Sequence, residues 1–320
     1  MKLFCYPHAN FGDGPLNNWL WPQLIPGLLD ECGDQLFVGI GSLLNDMLPR
    51  EPLKAVLGTG IGYGQGTPRP DGTWRIYAVR GPRSAQALGL DARAAITDAA
   101  MLVRALNLPA RPKRHPVAYM PHWWSDAHGQ WRAACDLAGL YFIDPQSGAE
   151  AVLNDLRETE LLISEALHGA IVADALRTPW VPVAAYKHIL ALKWLDWAES
   201  VELPYEPHRL EPQYQPEAVR ARLRRLRGWP QHGRAAQLAE ALVARPAGAV
   251  SGGWYRRQVE RNARTLQHLA ATAAPQLTRD AVLDRVVGRL LAALEQLKAD
   301  IQAGRMVVNA APGPVVVLRP

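Results

Sequence analysis

Cysteine is scarce in this chain: Cys5, Cys32 and Cys135 are an odd number, and no two of them form a CxxC pair. That argues against both a disulfide framework and a structural zinc site. Long hydrophobic runs are lacking as well, since no apolar stretch approaches the roughly 18 residues that suggest a membrane span. Met1 to Asn10 carries a single lysine and no long apolar stretch ahead of its polar residues, so no cleaved secretory leader is expected. Clustered His, Asp and Glu of metal-ligand spacing are absent, and no RNA- or DNA-binding signature accompanies the basic residues. These absences lead to the expectation of a soluble cytoplasmic protein with no metal and no nucleic-acid partner.

What is there is ordinary globular material. The 320 residues are 48% hydrophobic and 20% charged, which speaks against a disordered, collagen-like or coiled-coil chain. At roughly 100 to 200 residues per domain the length suits two domains. Gly and Pro at 26 each point to many turns. The net charge of +5 is uneven, because residues 201–320 hold 18 Lys/Arg against 10 Asp/Glu while residues 1–200 hold 17 against 20. The densest basic segment is Arg220, Arg222, Arg224, Arg225 and Arg227, with Leu223 and Leu226 between them. It reads either as a solvated helix face or as a surface for an anionic membrane or a lipid-linked phosphate.

Residues 1–200 alternate between short apolar runs and polar or Gly-bearing stretches. Strands are predicted at Lys2 to Tyr6, Leu36 to Ile40, Ala55 to Gly58 and Arg75 to Val79. A linker rich in Pro and basic residues follows, from Leu108 to Pro116. A second set is predicted at Val117 to Met120, Leu140 to Ile143, Glu160 to Ile163 and Val181 to Ala185, with helices at Trp131 to Ala138, Gly148 to Leu156 and His168 to Leu176. This alternation predicts an α/β fold with two parallel sheets and a cleft between them. Beyond Leu203 four prolines break the chain, and helices are predicted at Glu217 to Arg227, Ala235 to Val243, Gly253 to Ala273 and Asp280 to Ile301. The expected division is 1–110, 111–203 and a helical basic appendage over 204–320, packed on the sheets or forming an oligomer contact.

Several residues could carry chemistry. In Leu161 to Ile171 a strand ends at Ser164 and a helix begins near His168, which puts an imidazole at the C-terminal edge of a parallel sheet beside a helix N-terminus. A lone His there can equally cap or pack. In Val79-Arg80-Gly81-Pro82-Arg83-Ser84 a strand runs into a turn with two arginines, whose forks suit phosphate or carboxylate oxygens, or a surface acid such as Asp91. The glycine-rich stretch Gly58 to Gly66 lacks the lysine of a Walker loop and reads as a flexible cleft loop. The aromatics of His122-Trp123-Trp124 could stack on a sugar ring or fill the domain boundary.

In order and spacing, Asn10-Phe11-Gly12-Asp13, Gly39 to Ser42, Val79 to Ser84, Thr97-Asp98, His122 and Ser164 to Ala170 resemble the polysaccharide pyruvyl transferase family, most closely its succinoglycan-type members. The resemblance covers residues 1 to about 200. It implies two Rossmann-like domains in a GT-B-like arrangement, with the acceptor on the N-terminal side and the donor on the C-terminal side. The implied donor is phosphoenolpyruvate, no cofactor is needed, and the implied acceptor is the terminal sugar of a lipid-linked oligosaccharide. The implied product is a cyclic pyruvate ketal, with phosphate released at the inner face of the membrane. By position His168 matches the catalytic histidine and Arg80 the donor-binding arginine. Arg83, Ser164 and Lys187 join Arg80 on the donor, and Asn10, Asp13 and His122 meet the acceptor. Two departures stand out: Ala166 replaces an Arg usual in the family, so another cation must serve the donor, and Ala99 replaces a Pro, affecting the local turn. The competing expectations are a GT-B glycosyltransferase using a nucleotide sugar and a noncatalytic glycan- or lipid-binding protein.

Overall fold

The computed structural model describes residues 1–62, 66–213, 247–306 and 316–317. Among the described residues two parallel sheets of five strands each organise the chain. The first contains β1 (Lys2–Phe4), β2 (Gln35–Val38), β3 (Leu53–Leu57) and β4 (Trp74–Ala78), side by side in chain order, with β10 (Val316–Val317) added parallel to β4. The second has the order β6-β5-β7-β8-β9, formed by β5 (His115–Met120), β6 (Tyr141–Phe142), β7 (Thr159–Ser164), β8 (Trp180–Ala184) and β9 (His208–Arg209). All eight predicted strands form. The second sheet runs past the expected boundary at residue 203, since β9 pairs with β8.

Strands covered on both faces need nearly continuous apolar sequence, and Phe37, Val38, Ala55, Val56, Leu162 and Ile163 supply it, each 0% exposed. Lys54 interrupts β3, yet its Nζ is satisfied by the carbonyls of Arg50 and Pro52 at 2.6 Å each and by Thr73 Oγ1 at 3.0 Å. Helices α1 (Pro15–Leu24), α2 (Pro82–Ala87), α3 (Trp123–His128), α4 (Trp131–Ala138), α5 (Ala149–Glu158), α6 (Leu167–Ala175) and α7 (Ala191–Ser200) connect the strands, with a 3₁₀ helix over Ala99–Leu106. One hydrophobic cluster runs through both sheets, from Phe37 and Tyr77 to Met120, Leu162 and Ala170.

The C-terminal helices are part of these cores. Helix α8 (Ala247–Thr272) lays Val259, Ala263, Leu266 and Leu269 against α4 and β7. Helix α9 (Asp280–Gln302) crosses back to the first sheet, burying Val282, Val286, Leu290, Leu294 and Leu297 over β3, β4 and the 3₁₀ helix. Those five residues are the apolar face that the three- and four-residue spacing predicts. The basic segment at 220–227 and the helices expected at 217–227 and 235–243 lie outside the described residues. Among the described residues no helix is long and apolar enough to cross a membrane.

Candidate functional site

The second sheet reverses its strand order at β5, because the chain leaves β5 for β6 on one side and then returns to β7 on the other. In open parallel sheets such a switch point, at the carboxyl ends of the strands, is where ligands bind. Here β5 ends at Met120 and leads to His122, while β7 ends at Ser164 and leads into α6. The cavity lies there, with a volume of about 430 Å³. Helix α6 starts at its wall with Ala166 as N-cap and no side-chain cap, so its first N–H groups are unspent by the helix.

His168 is the second residue of α6, and its side chain is 11% exposed. Its Nε2 faces the buried Asp98 carboxylate of the 3₁₀ helix, 3.6 Å from Oδ2. Its Nδ1 lies beside Gly12 at the cavity wall. A Cβ on residue 12 would stand 1.9 Å from that nitrogen, so only glycine fits under the ring. Asn10 and Asp13 also line the cavity, tied together by Asn10 Nδ2 donating to Asp13 Oδ2 at 2.6 Å. The N-terminal motif thus reaches across to the histidine of the second sheet.

The far wall is rich in imidazoles and indoles. His122 caps α3, its Nδ1 accepting from Trp124 N at 3.3 Å, and its own N–H donates to the buried Glu165 at 3.2 Å. Glu165 also accepts from Ala185 N at 2.7 Å, and burial raises its carboxyl above the usual range. Trp124 is stacked on His128 at 3.8 Å between ring centroids and meets His188 at 4.1 Å, while Trp123 meets His8 at the same separation. Burial holds His122 well below its ordinary value and His188 at about 4, so both imidazoles are neutral at neutral pH.

Lys193 of α7 is half-buried at the cavity and, among the described residues lining it, is the only Lys or Arg. Burial first, then the charge of Arg80, lowers its ammonium to about 8 against the pull of Asp13 and Asp98. Three residues on, Asp196 anchors α7 to the turn that follows β4 of the first sheet. It accepts from Arg80 Nε at 3.0 Å, Ser84 N at 2.9 Å and Ser84 Oγ at 2.5 Å. Arg80 also donates to Ser42 Oγ at 3.0 Å and to the Ile61 carbonyl at 2.5 Å, and both members of the pair are 0% exposed.

Of the eight residues assigned to catalysis, donor or acceptor, four meet at the cavity, His168, Asn10, Asp13 and His122, together with the aromatics Trp123 and Trp124. Four do not. Arg80 lies one residue behind the wall, holding Ser42; its guanidinium is taken up by Asp196 rather than turned outward. Arg83 pairs with Glu199 at the surface at 2.5 Å. Ser164 is buried and donates to the Ala166 carbonyl at 2.8 Å, shaping the turn into α6. Lys187 is exposed and off the cavity wall. The glycine stretch, read as a flexible loop, is packed over its described part, since a Cβ at Gly60 would meet Arg80 Cζ at 2.5 Å. Lys193, His8 and His188 were not foreseen, and Ser42 entered only as the end of its motif. For Lys193 a signal existed: Lys193 and Asp196 sit three apart inside Ala-Leu-Lys-Trp-Leu-Asp-Trp, a charged pair within a Trp-rich helix.

In comparisons with known proteins, the chain is 39% identical over 215 residues to the succinoglycan biosynthesis protein ExoV of Rhizobium meliloti (strain 1021), covering 66% of this chain and 68% of that protein. No protein-family model matches. No solved structure matches.

Proposed function

The chain belongs to the polysaccharide pyruvyl transferase family, on the succinoglycan side of it, and from that premise we propose that it transfers the enolpyruvyl group of phosphoenolpyruvate to a terminal sugar of an exopolysaccharide repeat unit. The product is a cyclic ketal, and phosphate is released. The observation that carries this reading is the meeting of His168, the α6 N-terminus and Lys193 at one cavity. A trianionic donor needs cations and N–H groups for its phosphate and carboxylate, together with a proton donor near C3. Lys193 and the first α6 N–H groups supply the former. His168 supplies the proton, the role a positioned imidazole takes in general-acid catalysis.

The steps balance without an added reactant. His168 protonates C3, the methylene becomes a methyl group and C2 becomes oxocarbenium-like. A sugar hydroxyl adds to C2, the C2–O bond to phosphate breaks, and a second hydroxyl closes the ketal. Of the two hydroxyl protons, one restores His168 and the other leaves with phosphate. Trp123, with His8 against it, offers the acceptor ring an aromatic face, and Asn10, Asp13 and neutral His122 offer its hydroxyls hydrogen-bonding partners. The acceptor is taken to be lipid-linked. The test is incubation with phosphoenolpyruvate plus acceptor, or with a nucleotide sugar plus acceptor. Inorganic phosphate from the first supports the reading; a nucleoside diphosphate from the second identifies a glycosyltransferase instead.

Two predictions follow the wall residues. Lys193→Met is expected to weaken phosphoenolpyruvate binding by about 2 kcal/mol or more, some 30-fold in Kd by calorimetry at pH 7, the lower end for a buried charge contact. Lys187→Met leaves that Kd unchanged. Because burial lowers the ammonium to about 8 when no donor is bound, its cation is present below that pH and lost above it. Wild-type affinity therefore falls as pH rises from 7 to 9, a dependence that Lys193→Met flattens. Gly12→Ala drives a methyl into the His168 ring, and misplacing a reacting group by an ångström costs about 10²-fold in turnover. Steady-state phosphate release, with circular dichroism as the folding control, checks it.

A further inference from the structure

Asp98 follows the strands of the first sheet, His168 follows β7 of the second, and the two meet behind the cavity. Asp98 is the N-cap of the 3₁₀ helix, with Oδ1 accepting from Ala100 N at 2.9 Å. Its other oxygen, Oδ2, is buried and makes no hydrogen bond; the same is true of His168 Nε2, which faces it at 3.6 Å. A buried carboxylate oxygen and a buried ring nitrogen left unpaired each carry a desolvation cost, which a shared proton removes. Contacts around a reacting group are often long before a ligand arrives and tighten with it. Gly12 lies against the Nδ1 edge of the ring, so the Nε2 edge faces Asp98 and the Nδ1 edge stands beside Gly12 at the cavity wall.

We propose that Asp98 is a positioning residue that holds a proton on Nε2 of His168, making Nδ1 the nitrogen that gives and takes protons at the cavity. The proposal rests on reading His168 as the proton donor and specifies which of its atoms acts. With Nε2–H directed at Asp98, the doubly protonated ring loses its Nδ1 proton to C3 of the donor and remains as the Nε2–H tautomer. The attacking sugar hydroxyl then returns a proton to Nδ1. The ring never has to turn over, which its fit against Gly12 forbids. The tautomer is set by a carboxylate that follows the first sheet while the ring follows the second, so the acid is complete only when the two sheets are packed together.

Two-bond proton–nitrogen NMR of protein labelled with ¹⁵N-histidine reads the tautomer directly, His168 being assigned by its absence from the His168→Gln spectrum. The neutral ring is expected as Nε2–H with a bare Nδ1. Asp98→Asn keeps an acceptor for Ala100 N but loses the anion. It is expected to mix the tautomers and to lower kcat by about 10²-fold, while phosphoenolpyruvate Kd stays within about threefold. An Nδ1–H tautomer in the wild type overturns the proposal, as does an Asp98→Asn protein with wild-type tautomer and kcat. If Asp98→Asn fails to fold, the wild-type spectrum decides alone. Failure of the wild type to release phosphate from phosphoenolpyruvate overturns the reaction assignment instead, and the spectrum still decides the pairing.

Discussion

Replacing His168 with alanine is expected to lower phosphoenolpyruvate turnover by about 10²-fold or more, the lower bound for loss of a positioned general acid. The side chain is the one imidazole at the cavity that stands at the α6 N-terminus, where the donor's anionic groups are proposed to bind. The neighbouring imidazoles are poor substitutes, because burial keeps His122 and His188 neutral. His168→Gln fills the same space and still hydrogen-bonds, yet it cannot deliver a proton, so it should be nearly as slow. Both variants should fold, since the ring touches Gly12 and Asp98 rather than the apolar cluster, and circular dichroism should match the wild type. Phosphate release within threefold of wild type for either variant would remove His168 from the chemistry.

How much of this could be read beforehand depended on what each signal encodes. Strands buried on both faces leave continuous apolar runs, as in β3 and β4, and the alternation of such runs with helical patterns made β1 to β8 legible within a few residues. The face of α9 was legible for the same reason, through Val282, Val286, Leu290, Leu294 and Leu297. Helix α7 was not, because two charges interrupt its apolar pattern, and those two charges, Lys193 and Asp196, do the work of the helix. His168, Asn10, Asp13 and His122 were found because each stands at the end of a strand or in the motif that crosses to one. The partner of Arg80 was not legible for a physical reason: an arginine after a strand end has the same sequence signature whether its fork meets a ligand or a carboxylate of the same chain. The partner, Asp196, lies 116 residues away. Only the fold brings it near.

That pairing carries the second large effect. Arg80→Ala is expected to destabilise the protein by about 3 to 5 kcal/mol, because it strands the Asp196 carboxylate, 0% exposed, without its cation. Asp196→Ala should cost a similar amount by stranding the guanidinium. The double variant should cost less than the two singles together, since it leaves neither charge uncompensated. Ser42, Ile61 and Ser84 add further hydrogen bonds to the pair. Space for a rearrangement is small: a Cβ at Gly81 would lie 1.9 Å from the Asp196 carbonyl. Urea unfolding of the three variants measures these costs. Phosphoenolpyruvate binding should suffer as well, because Lys193 is three residues from Asp196 and follows α7 when the helix loses its anchor. The order of effects separates two roles for Arg80. If stability falls and binding falls with it, Arg80 acts through α7. If Arg80→Ala keeps the wild-type urea midpoint and loses the donor alone, its guanidinium leaves Asp196 to meet phosphoenolpyruvate directly, as the family resemblance implies.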